Sequence, residues 1–176
     1  MPRLVAPDAR FHGSFIDSHS EWAGAMQDGT GLHDAADDIL PADGFARWVD
    51  SLNAQEHTPR TPGHVTCTYR WIVEDDTYLG AISFRHDLTD YLENFGGHIG
   101  YGVRPSARRR GLANWALGQT IELARERAYP RVLVCCVDGN EASARTIVGQ
   151  GGVLDDMRTD SRGVVFRRYW IPVTPA

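Results

Sequence analysis

The sequence predicts an α/β fold, a mixed sheet with helices on both faces, and three observations predict it. Residues 99–128 read as a strand, a tight turn and an amphipathic helix in succession. Residues 132–137, Val-Leu-Val-Cys-Cys-Val, form a continuous apolar run, as expected of a strand covered on both faces. The patterning along the rest of the chain completes the order β-α-α-β-β-β-α-β-α-β-β, which places helices on both sides of one sheet. With 176 residues the chain can bury a sizeable core and is read as one domain over 1–176.

Taken in order, Leu4-Val5 open with a short strand. Phe11, Phe15, Trp22 and Met26 fall near helical spacing and predict a helix over roughly 9–26. Glycines at 29, 31 and 44 with Pro41 make most of the next segment a loop. Phe45, Trp48, Val49 and Leu52 recur at i, i+3, i+4, i+7, a second helix with Asp43 as its N-cap. Pro59 and Pro62 mark a connecting loop. Cys67, Tyr69, Trp71 and Val73 alternate with Thr66, Thr68, Arg70 and Ile72, the pattern of a half-buried strand. Glu74–Thr77 is a hairpin turn, and Tyr78 to Arg85 returns as the partner. Residues 87–96 make a short excursion of one or two helical turns.

Gly97–Val103 is the next strand, stopped by Pro105. From Gly111 a helical stripe of Leu117, Ile121, Ala124 and Ala128 runs to Pro130. After the apolar run, Asn140 to Gln150 forms a helix with Ala142, Ile147 and Val148 as its apolar positions. Val153–Asp156 and Val164–Ile171 close the chain as an antiparallel pair.

Composition narrows the function. Hydrophobic content of 42% and charged content of 23% are ordinary for a globular protein. No apolar run approaches the roughly 18 residues that span a bilayer, and the N-terminus carries no signal-peptide core, so the reading is a cytoplasmic protein without a membrane partner. A net charge of −5 argues against nucleic acid as a partner. The three cysteines and scattered histidines show no metal-site spacing, so no metal is expected. Cys135 and Cys136 lie inside the apolar run, where a thiol stays protonated, which makes them poor nucleophiles. All 18 basic residues are arginine, so the chain has no lysine of its own to modify.

Arg104, Arg108, Arg109 and Arg110 crowd the start of the helix that follows residue 111. The helix dipole is positive there, so cations at that end point to an anion held between them and the exposed N–H groups of the first turn. Gly111 and Ala113 let a phosphate come close to the backbone. Removing those arginines takes the formal charge from −5 to −9, which weakens the alternative of a nucleic-acid-binding module.

Arg108-x-x-Gly111-x-Ala113 resembles the Gln/Arg-x-x-Gly-x-Gly/Ala signature of the GCN5-related N-acetyltransferase (GNAT) superfamily, and the element order is similar from end to end. The segments Arg85-His86-Asp87-Leu88, Gly96–Tyr101 and Asn140–Ser143 look like a bacterial branch that includes small-substrate enzymes. The resemblance implies acetyl-CoA as donor substrate, a primary amine, here of a small molecule, as acceptor, and direct attack in a ternary complex. It implies that backbone N–H groups of Arg108, Arg109, Arg110, Gly111, Leu112 and Ala113 hold the pyrophosphate. It also implies that Tyr101, Gly102 and Val103 pair with the pantetheine arm and that Asn140 and Ser143 contact CoA. Asn140 reads equally as an N-cap. Gly100 and Gly102 leave one strand face bare, for a ligand or for close backbone packing.

His98 is the first choice of base, because period-two alternation puts it on the face of Gly100 and Gly102; the alternative is a packing histidine. The family's tyrosine acid, seven residues after the Asn, is Ile147 here. Tyr169 and Tyr101 are the substitute hydroxyls. The family's acceptor wall would include the aspartates at 28, 34, 37, 38 and 43, which favour a cationic amine or are simply solvated. A homodimer is left open. A catalytically weak acyl-CoA sensor is the competing reading, favoured by Ile147.

Overall fold

The computed structural model describes residues 1–32 and 38–173. Seven strands form one sheet in the order β1-β2-β3-β4-β5-β7-β6. They are β1 (Arg3–Val5), β2 (Cys67–Glu74), β3 (Thr77–Arg85), β4 (Ile99–Val103), β5 (Arg131–Val137), β6 (Val153–Thr159) and β7 (Val165–Pro172). Helices α1 (His12–Glu21) and α2 (Ala42–Ala54) precede β2, α3 (Leu112–Glu126) joins β4 to β5, and α4 (Glu141–Gly149) follows β5. The element order is therefore the one expected. Among the described residues no helix is long and apolar enough to cross a membrane.

Each face of the sheet carries its own core. Phe11, Phe15, Phe45, Trp48, Val49 and Leu52 pack with Trp71 and Tyr78 under α1 and α2. Phe15 stacks on Trp71 at 5.5 Å and meets Tyr78 at 4.9 Å. On the other face, Leu117, Ile121 and Ala124 of α3 and Ala144 and Ile147 of α4 pack on Ile82, Phe84, Ile99, Val132 and Val134. β2 is thus covered on both faces rather than half-buried, since Ile72 joins the α3 side while Cys67, Tyr69, Trp71 and Val73 join the other.

The structure corrects several boundaries. α1 stops at Glu21, because Ala23 and Gly24 take positive φ of 48° and 82°; Met26 is exposed. The N-cap of α2 is Pro41, which offers no side-chain hydrogen bond; Asp43 sits in the first turn and bonds Arg47 at 2.8 Å. Ala128 lies past α3 in a left-handed turn at φ 59° and is exposed. On α4 the inward residues are Ala144 and Ile147, while Ala142 and Val148 face out. The 87–96 excursion contains a single π-helical turn, Leu92–Gly96.

Candidate active site

All neighbouring strands run antiparallel except β4 and β5, which are parallel and meet at one register position, Ile99↔Val134. Beyond it they part, and a cleft of about 1820 Å³ opens along β4, the start of α3, β5, α4 and the segment after α1. The edge that β4 presents there follows from its other partner. Arg85 N–H donates to His98 O at 2.7 Å and Arg104 N–H to Leu79 O at 2.8 Å. Antiparallel alternation then gives Gly100 and Gly102 to β3 and turns the N–H and C=O groups of Tyr101 and Val103 to the cleft. Arg108 Nε donates to Val103 O at 3.2 Å on that side.

The turn after β4 delivers α3 to the same cleft. Gly111 caps α3 at φ 77° with no side-chain hydrogen bond, and no acidic residue stands in the first turn. The first-turn N–H groups have no intrahelical partner. A Cβ at residue 111 would meet no atom within 4 Å, so this backbone is open to close approach. Arg108, Arg109, Gly111, Leu112 and Ala113 line the cleft. The guanidinium of Arg108 lies over the Trp22 ring, 4.9 Å from its centroid. Arg110 is a correction: its side chain leaves the cleft and pairs with Glu74 at 2.7 Å. Arg104 likewise pairs with Glu21. Glu21 also accepts from Ser106 N–H and Oγ at 2.9 and 3.0 Å, so it fastens the arginine turn to the end of α1. The Arg104 and Ser106 bonds draw the Glu21 carboxyl down to about 2.

Tyr101, Asn140 and Ser143 meet in the cleft. The Tyr101 hydroxyl is 2.8 Å from Ser143 Oγ, and burial pushes its pKa up to about 12, so it stays protonated at neutral pH. Asn140 Oδ1 accepts from Ser143 N–H at 3.1 Å: it is the N-cap of α4 while also lining the cleft.

His98 and Tyr169 are corrections. Gly97, at φ 66°, breaks the alternation just before β4. His98 is 7% exposed at the rim of the α3-side core, with its ring against Phe84 and Tyr129 of that core and against Trp170. Its Nδ1 accepts from Leu133 N–H at 2.9 Å, and burial lowers its pKa to about 4. It does not line the cleft. Tyr169, between Val134 and Leu154 in the sheet, is 5% exposed within the same core and is also away from the cleft. Ile147 is fully buried.

The bare face of β4 is filled by backbone. A Cβ at residue 102 would fall 2.7 Å from Asp28 O, and one at residue 29 would fall 2.6 Å from Gly100 O. This contact holds Asp28 in the cleft, where surrounding protein raises its carboxyl above the ordinary range while the Arg85 charge pulls it back. Of the remaining aspartates named from sequence, Asp38 lines the cleft, Asp43 pairs with Arg47, and Asp34 and Asp37 lie outside the described residues. Arg85 also lines the cleft, and sequence reading gave it no role. Its one signal was a cation ending an otherwise uncharged strand. Cys135 faces the cleft with its thiol pushed up to about 12 by burial, so it is neutral.

A family model described as an acetyltransferase (GNAT) domain matches residues 19–152. Among solved structures, the chain is similar to a ribosomal L7/L12 alpha-N-protein acetyltransferase, RimL, in complex with coenzyme A. Identity is 14%, 98% of this chain and 94% of that one are covered, and the TM-score is 0.71. It is similar to the ribosomal-protein-S5-alanine acetyltransferase from Vibrio fischeri at 16% identity, with 98% and 92% covered and a TM-score of 0.69. It is also similar to the microcin C7 self-immunity acetyltransferase MccE, in complex with acetyl-CoA and AMP, at 13% identity, with 98% and 92% covered and a TM-score of 0.68. Identities this low establish likeness of fold. No curated protein matches the chain.

Proposed function

The chain belongs to the GNAT acetyltransferase family, and from that premise we propose that it moves an acetyl group from acetyl-CoA to a primary amine of a small molecule within a ternary complex. One observation carries the reading: the free edge of β4 and the uncapped N-terminus of α3 open on one cleft. The first-turn N–H groups, with Arg108 and Arg109, suit a diphosphate, because both the dipole and the side-chain charge favour an anion. The N–H and C=O groups of Tyr101 and Val103 suit the amide groups of a pantetheine arm laid against them as a strand.

The chemistry needs a proton acceptor for the amine and a donor for the leaving thiolate. Asp28 is the acceptor in this reading. Its raised pKa brings it nearer the range in which a carboxylate can take a proton. The amine nitrogen attacks the thioester carbonyl, its proton passes to the Asp28 carboxylate, the C–S bond breaks, and the thiolate takes the Tyr101 hydroxyl proton. Solvent then restores both groups. Tyr101 fills the place left by Ile147, since its hydroxyl rests on Ser143, one helical turn earlier on α4. The charge of Asp28 contributes to the raised pKa of Tyr101, which places the two within electrostatic reach of each other.

The test is calorimetry with acetyl-CoA followed by thiol release across a broad amine panel. Micromolar or tighter binding and amine-dependent thiol release are expected. The second reading, an acyl-CoA sensor, is favoured by Ile147, which is 0% exposed where family members use a tyrosine. Binding without thiol release on any amine would establish that reading instead.

A further inference from the structure

Two charges of opposite sign stand on the glycine face of β4. Arg85 ends β3, and its Nη1 donates to Gly96 O and Gly97 O, each at 3.1 Å. A Cβ at residue 100 would lie 3.3 Å from its Nη2 and 3.4 Å from Ser83 Oγ, so the guanidinium spreads over Gly100. Its Nε and Nη2 donors remain for other partners. Asp28 is carried onto the same face by the backbone that rests on Gly102 and Gly100. Both residues line the cleft, and among the described residues neither closes an ion pair. The two interact through their fields, since the Arg85 charge lowers the Asp28 carboxyl.

This cation is separate from the diphosphate end. Arg85 sits opposite His98, before the first residue of β4, whereas the arginine turn follows the last. The guanidinium lies over Gly100, and the three residues from there to Val103 put about 10 Å of strand between it and the arginine turn. An anion on Arg85 would therefore belong to the acceptor.

We infer that the acceptor is an amine that carries its own carboxylate, of the α-amino acid type, with the carboxylate on Arg85 and the amine at Asp28. A guanidinium suits this task because its fork of donors matches the two oxygens of a carboxylate. Ser83 Oγ, buried beside it, adds a further polar contact to that end of the site. The inference rests on the acetyltransferase reading and specifies its substrate class.

The experiment uses the full chain, acetyl-CoA, and matched pairs of common amino acids and their α-amides, read by thiol release. For the preferred side chain, kcat/KM should be about 10–100-fold higher for the acid than for the amide, the worth of a hydrogen bond to a charged group. The difference should lie mainly in KM. Arg85→Gln should erase the acid–amide ratio, and Arg85→Lys should restore part of it. A loss of fold in Arg85→Gln would leave the wild-type ratio and the lysine variant to decide. Equal turnover of acids and amides would overturn the inference while leaving acetyl transfer standing, as would a ratio unchanged in Arg85→Gln. Absence of thiol release on every amine, with acetyl-CoA bound, would overturn the acetyltransferase reading itself.

Discussion

In the proposed reaction the Tyr101 hydroxyl is the proton donor; it is neutral near pH 7 and rests on α4 beside the free β4 edge. Tyr101→Phe removes the hydroxyl and keeps the ring. A thiol with a pKa near 8.5 is already a tolerable leaving group, so the loss should lie at the low end of general-acid effects, about 10²-fold in turnover. Affinity for CoA should change less than about 2-fold on the same argument, since uniform binding is untouched. Single-turnover thiol release beside calorimetry separates the two, and wild-type turnover in this variant would remove Tyr101 from the chemistry. His98 makes a different prediction. Its pKa is 6.5 ordinarily and about 4 in the fold. Between those values the unfolded chain binds a proton that the folded chain refuses. Stability should therefore fall as pH drops from 6.5 to 4 and level off below. The slope is at most about 1.4 kcal/mol per pH unit. His98→Asn, which can keep an acceptor for Leu133 N–H, should flatten that limb in urea titrations. An identical slope in the variant would assign the acid sensitivity to another group.

At the scale of elements, the start of α3 is where the proposed reading puts the diphosphate of the donor. Gly111→Glu should abolish CoA binding by setting a carboxylate against the diphosphate site. The residue is at φ 77°, so the variant also carries backbone strain of about 1–2 kcal/mol. Gly111→Asn is the control, because Asn tolerates that conformation without the charge. Calorimetry should show binding in Gly111→Asn and none in Gly111→Glu; equal affinity in both would move the diphosphate elsewhere. The arginine turn, α3 and β5 were legible because periodicity changes sharply at Pro105, Gly111 and Pro130. The Arg108-x-x-Gly111-x-Ala113 pattern could be picked out because it is local. Contacts between distant segments could not. Arg110 looks like its neighbours until Glu74, 36 positions away, is placed beside it. Period two put His98 on the glycine face, but its ring is held by the Leu133 N–H and packs on Phe84 and Tyr129, contacts from distant segments. Tyr169 lies on a strand close to the expected acceptor wall, yet its place between β5 and β6 buries it. Arg85 gave only the signal of a cation ending an uncharged strand, because the role proposed for it depends on Gly100 being bare and on a loop crossing β4.

For the whole molecule, the two cores do different work. The aromatic cluster under α1 and α2 holds the wall that carries Asp28, and Phe15 lies at its centre, fully buried against Trp71, Tyr78, Phe45 and Trp48. Phe15→Ala should cost about 3–5 kcal/mol in urea unfolding; a loss under 1 kcal/mol would mean that the cluster repacks around the gap. The junction of β4 with β5 has a consequence of another kind. The two halves of the sheet are joined there by one register position, the bridge Gly97↔Val134 and the hydrogen bonds between His98 and Leu133, so two long ladders meet at a short seam. Such ladders can open as separate cooperative units, and amide hydrogen exchange resolves units of that sort. In the free protein, β1–β4 and β5–β7–β6 should exchange with distinct opening free energies. Acetyl-CoA lying along β4 would supply the missing rungs, and the amides of Tyr101 and Val103 should gain protection first. The two sets should then converge on a single opening energy as donor saturates the protein. Mass spectrometry of exchange with and without acetyl-CoA reads this directly, and two sets that stay apart at saturation would mean that the donor contacts one ladder only.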